Sequence, residues 1–153
     1  KANTPFFFEN KKKLLCISAA MHLIKLLTVE NQKNQQIFDS IDKYFEILND
    51  SSWLKKYVFW ELNLLKLIGF DLDLKKITQK ENINNKVRYY IQSSKEKKYV
   101  PNFLIENELD KIDKTSLLQA LKLVSDFLDK NILKPNNINF PTTRLEFLNQ
   151  FKI

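Results

Sequence analysis

The sequence predicts a mainly α-helical, compact domain with a small β-hairpin insertion, and three observations lead there. Its 153 residues include one glycine and four prolines, too few for the tight turns of an all-β fold. Apolar residues make up 44% and aromatics 12%, enough to build a core in one domain that buries roughly two-thirds of the unfolded surface. Apolar positions recur at helical spacing in several stretches and give way to a β-prone run once, within residues 70–101.

Residues 1–9 read as extended, because Pro5 disfavours helix at Thr4 and Phe6-Phe7-Phe8 is too short for an independent element. A first helix is expected over about Asn10–Glu30, with Leu14, Leu15, Ser18, Met21, Leu23, Ile24 and Leu27 at helical spacing. A second, about Gln35–Asn49, presents Ile37, Phe38, Ile41, Phe45 and Leu48. Asp50 or Ser51 is expected to cap a third, which carries the stripes Trp53, Tyr57, Trp60, Leu64, Ile68 and Leu54, Val58, Leu62, Leu65. So wide an apolar arc belongs to a central helix. Gly69 then sits where a left-handed C-terminal cap is needed, a geometry glycine adopts without steric cost.

Within 70–101, "KVRYYIQSSKEKKYV" reads as two short strands around a polar turn at Ser93-Ser94-Lys95-Glu96. Leu117, Leu118, Leu121, Val124, Phe127 and Leu128 define a helix over about Thr115–Asn131, which Pro135 ends. Pro141 opens a last helix holding Leu145, Leu148 and Phe151.

Chemistry is sparsely represented. Cys16 is the sole cysteine, which excludes an intrachain disulfide and suits a reducing cytoplasm. His22 is the sole histidine, six residues on, and 100° per residue sets the two on different helix faces. No zinc site of the usual Cys/His kind and no phosphate-cradling glycine loop can be built from this inventory. No catalytic residue and no cofactor is expected. No apolar run reaches the ~20 residues a membrane span requires. The start has neither signal-peptide order nor an initiating Met, and the chain reads as a piece of a longer one.

The net charge is +7, carried almost wholly by lysine, with Arg88 and Arg144 the two arginines. Abundant Asn and Ile point to an AT-rich genome, which inflates lysine without selection for binding. Position is more telling than the total. Residues 1–13 hold four lysines against one acid, and residues 73–100 hold eight basic against three acidic groups. Lys75, Lys76, Lys80, Lys86, Arg88, Lys95, Lys97 and Lys98 therefore form the candidate phosphate-facing set; the bland alternative is a solvated insertion. Trp53, Tyr57 and Trp60 have the chemistry to stack bases, but their spacing assigns them to the core. Glu61 is a charge inside an apolar arc and must be tied, to a loop N–H or a lysine.

Trp60-Glu61, Leu64-Leu65, Gly69-Phe70 and Asp73-Leu74 form a pattern that resembles the C-terminal domain of the bacterial RecO family of recombination mediators. "LLCISAAMHLIKLLTVENQKNQQIFDSIDKYFEIL" upstream is similar to the helical pair that follows the family's N-terminal OB barrel. "DFLDKNILKPNNINFPTTRLEFL" downstream is similar to its closing helices. Many members carry a zinc finger beginning Cys-x-x-Cys just after the Asp-Leu; here Ile77 and Lys80 stand at those positions. The resemblance makes residues 1–9 a linker or exit strand from an OB domain and 10–153 the helical domain. It gives Trp60, Glu61, Leu64, Leu65 and Gly69 structural roles.

The resemblance implies a non-enzymatic cytoplasmic, nucleoid-associated helper of DNA repair. Such proteins bind single- and double-stranded DNA, anneal strands, and contact the acidic C-terminal tail of single-strand-binding protein. With RecR they promote RecA loading. The main alternative is a generic helical protein–protein interaction module, its lysines set by genome composition; an enzyme is the remotest reading.

Overall fold

The computed structural model describes residues 11–28, 35–70, 72–106 and 112–152, so the expected exit strand at 1–9 lies outside the described residues. Seven α-helices and a three-stranded antiparallel sheet are found among them. In chain order these are α1 (Lys11–Leu27), α2 (Gln35–Leu48), α3 (Trp53–Leu67), α4 (Leu74–Ile77), β1 (Gln79–Ile83), β2 (Lys86–Gln92), β3 (Lys97–Val100), α5 (Asn102–Glu106), α6 (Lys114–Leu128) and α7 (Thr142–Asn149). A mainly helical domain with a small β insertion is what the sequence predicted. The expected hairpin is β2–β3, and β1 adds a third strand on its far side.

α3 is the central helix. Tyr57, Val58, Leu64 and Leu65 are wholly buried, and Trp60 donates its indole N–H to the Ser40 carbonyl of α2 at 2.8 Å. Its C-terminus closes as a Schellman motif. The Phe70 N–H reaches the Leu65 carbonyl at 2.8 Å, and the Gly69 N–H reaches that of Lys66 at 3.1 Å. Gly69 stands at φ +94° with open space where a Cβ would be, so backbone conformation alone requires glycine there. The start of α3 differs from expectation. Ser52 takes the N-cap position without a side-chain bond. Asp50 instead accepts from the Ser52 N–H at 2.8 Å and pairs with Lys56, bracing the preceding turn.

Two helix faces are rotated from those the sequence suggested. α1 buries Cys16, Ala19, Ala20, Leu23, Ile24 and Leu27, whereas Ser18 is exposed and Leu14, Leu15 and Met21 are half-buried. Small residues on that face let α1 approach α7 closely, with Phe147 wholly buried there. α2 turns Ile37, Ser40, Tyr44 and Leu48 inward, leaving Phe38 58% and Phe45 38% exposed. Tyr44 is preferred inside because its ring meets Tyr57 and Trp60, with centroids 5.8 and 4.9 Å away.

α6 does not stop near residue 131. It runs on through a π-helical turn, Asp129–Leu133, and a 3-10 turn, Lys134–Asn136, which tolerates Pro135 in its first turn. Asn137 at φ +55° then closes the segment, and the Ile138 N–H bonds the Leu133 carbonyl at 2.9 Å. Pro141 precedes α7 as expected. Within α7, however, Leu145 is 47% exposed and Arg144 takes the inward position.

Arg144 completes the core. Its guanidinium meets both Glu61 carboxylate oxygens, at 2.7 and 2.9 Å. Its Nε donates to Ser125 Oγ at 2.7 Å, and a terminal N–H reaches the Leu121 carbonyl at 3.3 Å. Ser125 in turn donates to Leu121 at 2.8 Å, so α3, α6 and α7 are joined through one side chain. The tie foreseen for Glu61 exists, but to arginine and not to a lysine or a loop N–H. Burial alone would lower the Arg144 pKa; the Glu61 carboxylate outweighs that and raises it. Burial pushes the phenols of Tyr57 and Tyr44 well above the ordinary value, reinforced by Glu61 at Tyr57 and by Cys16 at Tyr44.

Removing one partner strands the other's charge in the core. Arg144→Met is expected to cost about 3–5 kcal/mol in chemical denaturation, and Glu61→Leu on that background should recover most of the loss. A single variant as stable as the parent would show that the pair is not holding the helices.

Candidate nucleic-acid interface and peptide groove

The sheet arises from three local signals. Asn84 and Asn85, at φ +53° and +63°, make a two-residue turn of the primed type whose twist suits a β1–β2 hairpin. Ser93–Glu96 closes β2–β3: the Ser93 N–H and Oγ both donate to the Glu96 carbonyl, at 3.0 and 2.9 Å. Tyr89 and Ile91 pack on the helical core, which fixes which face looks inward.

Register then sorts the candidate residues. Glu81 pairs with Arg88, Ile83 with Lys86, Gln79 with Tyr90, Tyr90 with Tyr99, and Gln92 with Lys97. Paired residues share a face, so Lys86, Arg88, Tyr90, Lys97 and Tyr99 lie together on the outer surface. Lys80 and Lys98, one position out of step, belong to the opposite face. Lys75 and Lys76 are exposed on α4, with Lys76 3.8 Å from Asp73, and Lys95 sits in the β2–β3 turn. The eight-residue set is therefore several groups and not one patch.

The outer face is a network of rings and charges. Lys97 Nζ lies 4.5 Å from the Tyr90 ring centroid and 2.8 Å from Glu81. The Arg88 guanidinium lies 5.2 Å from the Tyr99 centroid. Tyr99 donates its hydroxyl to Glu81 at 2.9 Å, Tyr90 donates to Gln79 at 2.9 Å, and the two rings meet edge-on at 6.3 Å. Tyr99 remains 40% exposed. Sequence reading passed over Tyr90 and Tyr99, although the interleaving of aromatic and basic residues in "KVRYY" and "KKYV" was the signal for them. Trp53, Tyr57 and Trp60 are buried, at 8%, 0% and 3% exposure, and offer no stacking surface.

On the inner side, a 250 Å³ apolar groove lies between the sheet and the end of α6, with Leu72, Ile77, Ile91 and Phe127 on its walls. Lys98 and Lys130 also line it, together with Glu96 and Asp126, and Lys98 is held to Asp126 at 2.7 Å. Lys130 belongs to the π-helical turn, whose extra residue changes the direction of the side chains that follow.

Elsewhere chemistry is sparse. His22 meets Thr143 Oγ1 at 3.0 Å and so ties α1 to α7. Cys16 is wholly buried and accepts from the Tyr44 hydroxyl at 3.5 Å; burial raises its thiol pKa far above the ordinary value. Among the described residues no three His, Cys, Asp or Glu side chains gather as a metal site, and no helix is long and apolar enough to cross a membrane.

Comparison with known proteins adds the decisive observation. Residues 9–137 match the family model described as Recombination protein O C terminal. The chain belongs to the RecO family. It is 28% identical over 149 residues to the DNA repair protein RecO of Rickettsia canadensis (strain McKiel), spanning 89% of this chain and 61% of that protein. Likeness to the DNA repair protein RecO of Rhodospirillum centenum (strain ATCC 51521 / SW) is 23% over 166 residues, 99% of this chain and 66% of that protein. With the Rickettsia africae (strain ESF-5) DNA repair protein RecO it is 33% over 76 residues, 50% of this chain and 32% of that one. The chain thus spans less than two-thirds of these relatives' length. No solved structure gives a significant match.

In RecO terms, the matched span holds Glu61 but ends before Arg144, so one half of the core ion pair lies beyond it. The family's zinc finger does not fit this chain. Ile77 is exposed at the end of α4 and Lys80 on β1, and neither supplies a thiolate.

The outer network has a predictable acid limit. Hydrogen bonds from Lys97 and then Tyr99 hold the Glu81 carboxyl below its ordinary range. With its folded pKa depressed, whatever Glu81 contributes is present above the unfolded value and disappears as pH falls through the lower, folded one. Tyr99 ring signals in an NMR pH titration should move with a midpoint below the ordinary glutamate value of ~4.3. A shift centred at or above that value would contradict the pairing.

Proposed function

We infer that this chain is the helical domain of a DNA repair and homologous recombination mediator, working by binding and not by catalysis. The observation that carries the reading is the outer sheet face, where Tyr90 and Tyr99 stand among Lys86, Arg88 and Lys97. Single strands are held sequence-independently by cations that track the phosphates and by planar groups on which bases stack. Tyr99 and the Arg88 guanidinium supply planes; Lys86 and Arg88 supply charge, Arg88 opposite Glu81 but outside ion-pair distance of it. Double-stranded DNA would be engaged through the phosphates alone. Annealing follows from a surface that gathers strands by charge and leaves their pairing edges free.

The apolar groove supports the second half of the reading. An acidic peptide with a hydrophobic end, such as the tail of single-strand-binding protein, would put that end against Ile91 and Phe127 and its carboxylates against Lys98 and Lys130. DNA and the peptide would then occupy opposite faces of one sheet, so a mediator working with RecR to load RecA could hold both at once. A helical protein–protein module remains the second reading, favoured by Phe38 and Phe45 exposed on α2.

The two faces separate in experiment. In anisotropy titrations of a labelled oligonucleotide, Tyr99→Ala is expected to weaken binding about tenfold, from a stacking loss of ~1–3 kcal/mol, whereas Tyr99→Phe keeps it. Replacing Lys86 and Arg88 by Gln should lower the salt slope by roughly one per residue, while Lys98→Glu leaves DNA binding intact. DNA affinity indifferent to both Tyr99→Ala and the charge changes would reject the outer face.

For the groove, Lys130→Glu and Phe127→Asp should each abolish calorimetric binding of an acidic peptide ending in hydrophobic residues, with oligonucleotide affinity unchanged. Full peptide binding by both variants would remove the groove from the proposal.

A further inference from the structure

A 470 Å³ cavity opens at the end of β3, where the sheet meets α5 and the first half of α6. It is distinct from the apolar groove in composition. Val100, Pro101 and Phe103 give it apolar surface, while Asn102, Glu106 and Gln119 bring polar groups to its walls. Its volume lies in the range of small-ligand sites, about 300–1,000 Å³. Arg88 and Tyr99 border it, and both belong to the outer face, so the cavity is reached directly from that face.

Two of the three polar groups are held in place. Asn102 donates its side-chain N–H to the Val87 carbonyl at 2.9 Å, which orients its amide. Glu106 accepts the Tyr89 hydroxyl at 3.1 Å through one oxygen, and burial followed by that contact raises the Tyr89 pKa. The Gln119 amide has no hydrogen bond among the described residues. An aromatic edge, apolar surface, fixed acceptors and an uncommitted amide that both donates and accepts match one ligand chemistry: a planar heterocycle with hydrogen-bonding edges. The cation at the mouth matches the phosphate attached to it. A lipid would leave the polar walls unpaired, and a bare anion would meet Glu106.

We propose that this cavity takes a single unstacked nucleobase from a strand lying on the outer face, Glu106 and Gln119 reading its edge and Arg88 holding its phosphate. The proposal rests on the reading of that face as a strand platform. Where the platform is indifferent to sequence, the cavity adds preference at one position, because it offers hydrogen bonds to the base edge and not only a plane to stack on.

The test is a heteronuclear NMR titration of the full chain with deoxyguanosine monophosphate, inorganic phosphate and a short oligothymidine. The mononucleotide is expected to shift the side-chain amide signals of Asn102 and Gln119, which phosphate leaves in place. Gln119→Leu should lower mononucleotide affinity about tenfold, as expected for one lost hydrogen bond, without changing the salt slope for the oligonucleotide. Equal shifts from phosphate alone would make the site an anion site and overturn the proposal. Oligonucleotide shifts at Tyr90 and Tyr99 with silent Asn102 and Gln119 under all ligands would reject the cavity and keep the platform. Silence everywhere would reject both.

Discussion

The ion pair between Glu61 and Arg144 is the constraint on which the arrangement of helices depends. Its partners are 83 residues apart in sequence and both are wholly buried or nearly so, at 0% and 2% exposure. Neither charge can be left in the core alone, so α7 must dock at the one angle that brings a planar guanidinium onto a carboxylate, a serine and a carbonyl together. Apolar helices would pack in many ways at little difference in energy. A single multiply-bonded charge selects among them, at the expense of desolvating two ions. The His22–Thr143 contact and the small-residue face of α1 then fit the position that Arg144 has already set.

What could be read in advance depended on whether one local signal was strong. α3 and its glycine stop were legible because two apolar stripes and an obligatory left-handed residue coincide. β1 was not, because Gln79–Ile83 is polar and exposed over almost its whole length and owes its strand conformation to pairing with β2. The turns of α1 and α2 were misjudged for a different reason. Cys16, Ala19, Ala20 and Ser40 contribute little hydrophobicity yet occupy the closest contacts, whereas Phe38 and Phe45 weigh heavily in any pattern and lie outside. Arg144 sat in "PTTRLEF" with nothing nearby to mark it for burial, since its partners come from α3 and α6.

The candidate site was half legible on the same grounds. Charge density located the segment, but alternation along a strand decides which charges act together, and that needs the register. Lys97 and Lys98 are neighbours in sequence and opposites in space: one sits over the Tyr90 ring, the other bonds to Asp126 across the inner groove. A three-stranded sheet is thin enough to present two chemically different surfaces from one small insertion. With no thiolate at positions 77 or 80, the sheet takes its shape from asparagine turns and from core contacts of Tyr89 and Ile91.

Cys16 carries a consequence of its own. As the sole thiol, carried by α1 and sealed against the Tyr44 hydroxyl of α2, it is chemically silent for as long as the helices stay together. A thiol-directed reagent added to the native protein therefore reports how often the core opens, molecule by molecule, without any engineered label. Its rate of modification is the chain's own clock for unfolding.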